Sequence, residues 1–146
     1  MNQKRIGYHY EIRARDLINS MKNAVAKRVF GSGAFKSVHE ELDGDVRAYF
    51  FVSCNECEHS ENTICTKEKR EPWNESDKPK PCEEFEPSTW LVMKPTRVEV
   101  KERKAFPAWI EKAFGQGEIV FLFRPRKPPV VMMEFETFKE MVESQG

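Results

Sequence analysis

Apolar positions first recur at helical spacing: Ile6, Tyr10, Ala14, Leu17, Ile18 and Met21 fall on one side of a 3.6-residue repeat, with charged residues opposite. That pattern predicts an amphipathic N-terminal helix whose apolar stripe lies on a core. From Val25 to Phe30 the period shortens to two, and the run stops at Gly31-Ser32-Gly33, a glycine-rich turn. Val46 to Val52 is a second run rich in apolar, aromatic and β-branched residues. These two segments are predicted to be neighbouring strands.

The pattern then breaks. Cys54 to Pro87 has neither helical nor strand periodicity, and it holds four of the nine prolines and all four cysteines. We read residues 53–87 as an insertion held by something other than an apolar core. Patterning returns at Trp90 to Met93 and at Thr96 to Lys101, where Val98 and Val100 point one way and Arg97, Glu99 and Lys101 the other. Pro107 opens a short helix with Trp109, Ile110, Ala113 and Phe114 as its apolar face, closed by Gly115 to Gly117. Ile119 to Phe123 and Val130 to Phe135 are apolar enough to be buried strands, joined by a stiff Arg-Pro-Arg-Lys-Pro-Pro connection. Glu136 to Glu143 is a last helix. Trp109, Phe114, Phe121 and Phe123 are expected to be core packing and not base-stacking platforms. The order of elements predicts a mixed α/β sandwich.

Length changes little in this picture: 146 residues suffice for one compact core and not for two ordinary domains, so a single domain with an insertion is expected. No apolar run has the length of a signal peptide or a membrane span, and the expectation is a soluble, cytoplasmic protein. In such a reducing compartment four cysteines favour metal binding over disulfides. Charge changes more. The formal net charge is zero, yet residues 54 to 87 hold ten acidic and five basic residues, leaving the remainder near plus five. That is a modest positive surface of the kind a phosphate-bearing partner needs. Ordinary solvated charge is the alternative.

The candidate chemistry lies on the polar side of the strands. Glu99 and Lys101, two apart, project to the same face, a carboxylate toward a metal and an ammonium toward an attacking water or a phosphate. Asp45 follows Asp43-Gly44 at the mouth of another strand, and Glu11 lies on the first helix. Hydrolysis of a phosphodiester needs an activated water and neutralisation of the charge that builds on the phosphate, and carboxylates holding Mg²⁺ supply both. Singly, each of these residues is more simply a solvated charge.

Taken in order, Glu11, Gly31-Ser32-Gly33, Gly44-Asp45-Val46 and Val98-Glu99-Val100-Lys101 resemble the PD-(D/E)xK nuclease superfamily. Within it, the pattern looks most like the archaeal Holliday-junction resolvases and related small phage nucleases. The resemblance covers nearly the whole chain apart from the cysteine insertion. It implies a restriction-endonuclease-like mixed sheet flanked by helices, with Asp45 and Glu99 as the main Mg²⁺ (or Mn²⁺) ligands and Lys101 orienting the water. It implies Glu11 as the helical glutamate completing the metal site, Ser32 as a contact to the cleaved strand, and Arg28 as a phosphate contact. Two departures stand out. Gly44 replaces the usual proline, with Asp43 an alternative ligand to Asp45, and the long insertion separates strands that a short turn joins in a plain resolvase. The insertion bears on junction specificity more than on chemistry.

Cys54-x-x-Cys57, Cys65 and Cys82 are enough for a tetrahedral thiolate site, which would explain how a polar segment of this length folds. Zinc is the default, and an iron-sulfur cluster is the alternative that the Pro81-Cys82-Glu83-Glu84-Phe85 tail suggests. His59 stands too close to Cys57 to replace a cysteine. Lys67, Lys69 and Arg70 are the insertion's basic cluster; Lys101, Arg103 and Lys104 would raise the potential of the proposed site, with Lys104 a further DNA contact. The loop Arg124-Pro-Arg126-Lys127 is more simply a solvated turn, and no nucleophile spacing supports His9 or His39 as catalytic. The expectation is a Mg²⁺-dependent endonuclease acting on branched DNA, by analogy a homodimer, with a possible protein partner at the insertion. A catalytically silent binding module and a sequence-specific restriction or repair nuclease are the alternatives.

Overall fold

The computed structural model describes residues 3–29, 45–62, 64–67, 80–89 and 94–145. Ser32 with its glycine turn, His39, Asp43, Lys69, Arg70 and the 90–93 run fall outside these residues. The described chain is mixed α/β: three α-helices, a three-stranded antiparallel sheet and two antiparallel hairpins. It divides into two compact units, one ending at Glu102 and the other spanning Arg103–Gln145.

In the first unit, helix α1 (Gln3–Asn19) is followed by strands β1 (Ala24–Arg28) and β2 (Val46–Phe50). The helix stops where Asn19 turns its side-chain amide onto Ala26, donating to its carbonyl at 3.1 Å and accepting from its N–H at 2.7 Å. β1 and β2 pair antiparallel, with Ala24 opposite Phe50 and Arg28 opposite Val46. Ala24, Ala26, Val46 and Ala48 project to one face by strand alternation and are fully buried, as are Ile18 and Met21 from the helical stripe. Small side chains there let α1 lie close to the sheet.

Between β2 and the next strand of this sheet lies the cysteine segment. Among its described residues, a 3₁₀ turn (Cys54–Glu56) and a two-rung hairpin of β3 (Ser60–Glu61) and β4 (Ile64–Cys65) are the regular structure. The segment leaves β2 through Phe51, whose φ of 61° is left-handed, a conformation costly for a side chain with a Cβ. Val52 then packs with Val25, Phe85, Cys57 and Tyr49, so the segment covers one end of the sheet face opposite α1. β5 (Thr96–Val98) completes the sheet beside β2, with Arg47 opposite Arg97. It is shorter than expected, because regular pairing stops before Glu99.

The second unit holds helix α2 (Ala108–Phe114), the hairpin β6 (Ile119–Arg124) and β7 (Lys127–Met133), and helix α3 (Phe135–Glu143). The expected stiff connection is a tight turn instead: Arg124 pairs with Lys127, and Arg126 takes the left-handed φ of 58°. Pro128 and Pro129 are tolerated because a two-stranded hairpin consists of edges, where a missing N–H breaks no inner ladder. The aromatic residues expected in a core are largely outside one. Trp109, Phe121 and Phe123 are exposed, Phe123 at 81%, while Ile110 and Val142 are the buried apolar residues of this unit. A hairpin has two faces, and the outer face of this one has no covering layer. No helix among the described residues is long and apolar enough to cross a membrane.

Candidate functional site

Asp45 continues the β1–β2 ladder, its carbonyl accepting from the Val29 N–H at 3.1 Å. Its own N–H donates to the Val98 carbonyl at 2.9 Å, and its carboxylate Oδ2 accepts from the Val100 N–H at 2.7 Å. The half-buried Asp45 is therefore fastened to the end of β5, directly beside Glu99 in sequence. Glu99 and Lys101 form an ion pair of 2.5 Å on either side of Val100, the residue to which the Asp45 carboxylate is bonded.

Glu11 does not join them. Its Oε2 accepts from Arg28 Nε at 2.6 Å, with both side chains mostly shielded from solvent, and the Arg28 guanidinium lies 4.2 Å from the centre of the Tyr8 ring. The donor atoms of Glu11, Asp45 and Glu99 do not fall together within 4.8 Å; the one such group among the described residues is Glu58, His59 and Glu86. Asp45 and Glu99 are hard oxygen donors of the type Mg²⁺ takes, usually one or two carboxylates with water completing the shell. They suit such an ion as a pair, while Glu11 is committed to Arg28. Lys104 is exposed and lies in the second unit.

The four cysteines come from separate pieces of chain and line one small cavity, together with His59, Ser60, Lys67, Glu84 and Phe85. Local hydrogen bonds set each piece. Ser53 and Glu56 form a capping box around the 3₁₀ turn that holds Cys54 and ends at Cys57. Cys57 bridges to Pro87, Glu58 N–H donates to the Glu86 carbonyl at 2.8 Å, and Ser88 N–H donates to Glu56 at 2.8 Å. Cys65 sits on β4 opposite Ser60, and a turn from Cys82 to Phe85 closes on the Phe85 N–H at 3.0 Å. No disulfide joins any of the four. No three of their sulfurs lie within 4.8 Å of one another, wider than the roughly 3.8 Å that a 2.3 Å zinc–sulfur bond imposes in a tetrahedron. Thiolates on a four-iron cluster bind different corners of a cube and stand further apart.

One feature escaped the sequence reading. By register, Lys27 lies opposite Arg47 and Arg47 opposite Arg97, so three cations stand abreast on the sheet face opposite α1. A trough of about 580 Å³ opens over this face, lined by Lys27, Arg28, Arg47 and Tyr49 on the sheet side and by Phe85, Glu86 and Pro87 from the cysteine segment. Arg47 Nε is buried there without a hydrogen-bond partner. Burial pushes the Tyr49 phenol above its ordinary pKa, with Arg47 opposing and Glu86 adding to the shift, so the hydroxyl stays a neutral donor. The available sequence signal was the set of polar residues at alternate strand positions, which means little until the register is known. No protein-family model, curated protein or solved structure matches the chain.

Proposed function

We propose that the protein is a metal-dependent DNA endonuclease of restriction-endonuclease-like fold, acting on branched DNA. The observation that supports this best is the fastening of Asp45, through its carboxylate, to the Val100 N–H of the strand end that carries Glu99 and Lys101. Two strand-end carboxylates with an adjacent ammonium match what phosphodiester hydrolysis asks of a site. In this reading Asp45 and Glu99 would hold a Mg²⁺ ion, and the chemistry it would supply is neutralisation of the phosphate's charge and activation of a water. Lys101, already paired with Glu99, orients that water, and Arg28 stiffens the edge of the sheet through Glu11. The four cysteines hold zinc or an iron-sulfur cluster that folds the insertion. Their location around one cavity supports a bound centre, and their wide spacing keeps the cluster in contention.

The test is Mg²⁺-dependent cleavage of labelled four-way-junction and linear duplex DNA. Wild type should cut the junction, while Glu99→Ala and Lys101→Ala should each lose at least about a hundredfold in rate with their folding intact. Equal cutting of junction and duplex would replace the branched substrate with a general one. No cutting by wild type in Mg²⁺ or Mn²⁺ would leave a binding module as the better reading.

A further inference from the structure

We propose that the trough between the β-sheet and the cysteine segment holds a single-stranded stretch of nucleic acid. This deepens the nuclease reading, since it assigns an unpaired arm or flap to the substrate, but it rests on different residues.

Three observations carry it. Lys27, Arg47 and Arg97 stand directly opposite one another on adjacent strands, a row about 10 Å long at normal strand spacing. Like charges placed so are mutually repulsive, and a run of phosphates laid across them turns that repulsion into attraction. The buried Arg47 Nε without a partner is a donor whose desolvation is uncompensated in the protein alone. The charge of that guanidinium is what a phosphate in the trough would offset. The trough also offers an aromatic side chain, Tyr49, beside those cations, the pairing of basic groove and stacking platform by which single strands are held.

Size selects the occupant. At about 580 Å³ the trough is of the order of a small-ligand site. It can take a short unpaired stretch. The wall also carries one carboxylate, Glu86, set against the cations Lys27, Arg28 and Arg47 of the sheet side. Phe85 is buried between the two sites: it lines both the cysteine cavity and the trough and packs edge-on against Tyr49, ring centres 5.4 Å apart. The centre held by the cysteines thus fixes one wall of the trough.

The experiment is fluorescence anisotropy of a labelled single-stranded oligodeoxynucleotide and its blunt duplex, in magnesium-free buffer so that binding is read without cleavage. Wild type should bind the single strand more tightly than the duplex. Lys27→Ala and Arg47→Gln should each weaken single-strand binding and lower the slope of log affinity against log salt by about 0.7. Lys27→Ala guards against a folding defect at the partly buried Arg47. Tighter binding of the duplex, or a single-strand affinity and salt slope unchanged in both variants, would overturn the proposal. Single-strand binding without Mg²⁺ cleavage would sink the nuclease reading alone, and junction cleavage unaffected by both variants would sink the trough alone.

Discussion

Glu11 shows how far a residue's neighbours govern its role. Read along the sequence, it is a helical glutamate at the position of a third metal ligand. In the fold, Arg28 reaches it from β1 at 2.6 Å, and Tyr8 stacks on the same guanidinium. A shielded, charge-assisted pair of this kind contributes about 1.5 kcal/mol. Glu11→Gln and Arg28→Ala should therefore each lower stability by about that amount, with the double variant short of additive by about 1 kcal/mol. Urea denaturation of the four proteins measures this, and strict additivity would mean that the pair is idle. The exposed Glu99–Lys101 pair has the shorter contact, 2.5 Å, yet water screens it, so removing it should cost less than about 1 kcal/mol. A large loss of cleavage in those variants would then report chemistry and not folding.

At the scale of elements, the cysteine segment and the β6–β7 hairpin illustrate opposite ways to hold chain together. The hairpin has regular pairing throughout but leaves Phe121 and Phe123 in solvent. The described residues of the cysteine segment have little regular structure but bury Cys54, Cys57, Cys65 and Phe85. On the proposed reading, a centre bound by the cysteines would supply much of its stability. Cys82→Ser should lower Tm by more than about 5 °C, and a strong chelator should bring the wild type down by a similar amount. An unchanged Tm in both experiments would mean that the segment folds without a centre. The absorption spectrum of anaerobically purified protein separates the two centres: a brown sample means a cluster, a colourless one zinc.

For the whole molecule, the division after Glu102 matters most. The chain from Lys101 to Pro107 is exposed, lacks regular structure and carries Lys101, Arg103 and Lys104. Such segments are where proteases cut. Limited trypsin digestion should therefore first produce two fragments of about 100 and 45 residues, identified by mass spectrometry. Early cleavage within β1, β2 or α1 instead would contradict the division.

Much of this protein follows from sequence pattern alone. The helical stripe from Ile6 to Met21, the strands at Val25 and Val46, the helix after Pro107 and the terminal helix all lie where hydrophobic periodicity puts them, because local geometry dictates which side chains share a face. That the four cysteines belong to a segment of distinct composition was equally legible. What pattern could not reach depends on which segments meet. That Phe121 and Phe123 stay exposed reflects the lack of a second layer over their hairpin. That Glu11 pairs with Arg28, and that four cysteines spread between positions 54 and 82 line one cavity, depends on how helix, sheet and turns are laid together. The row Lys27, Arg47, Arg97 exists only through register: strand alternation places each cation on a face, and hydrogen-bonded pairing across β1, β2 and β5 brings the three side by side.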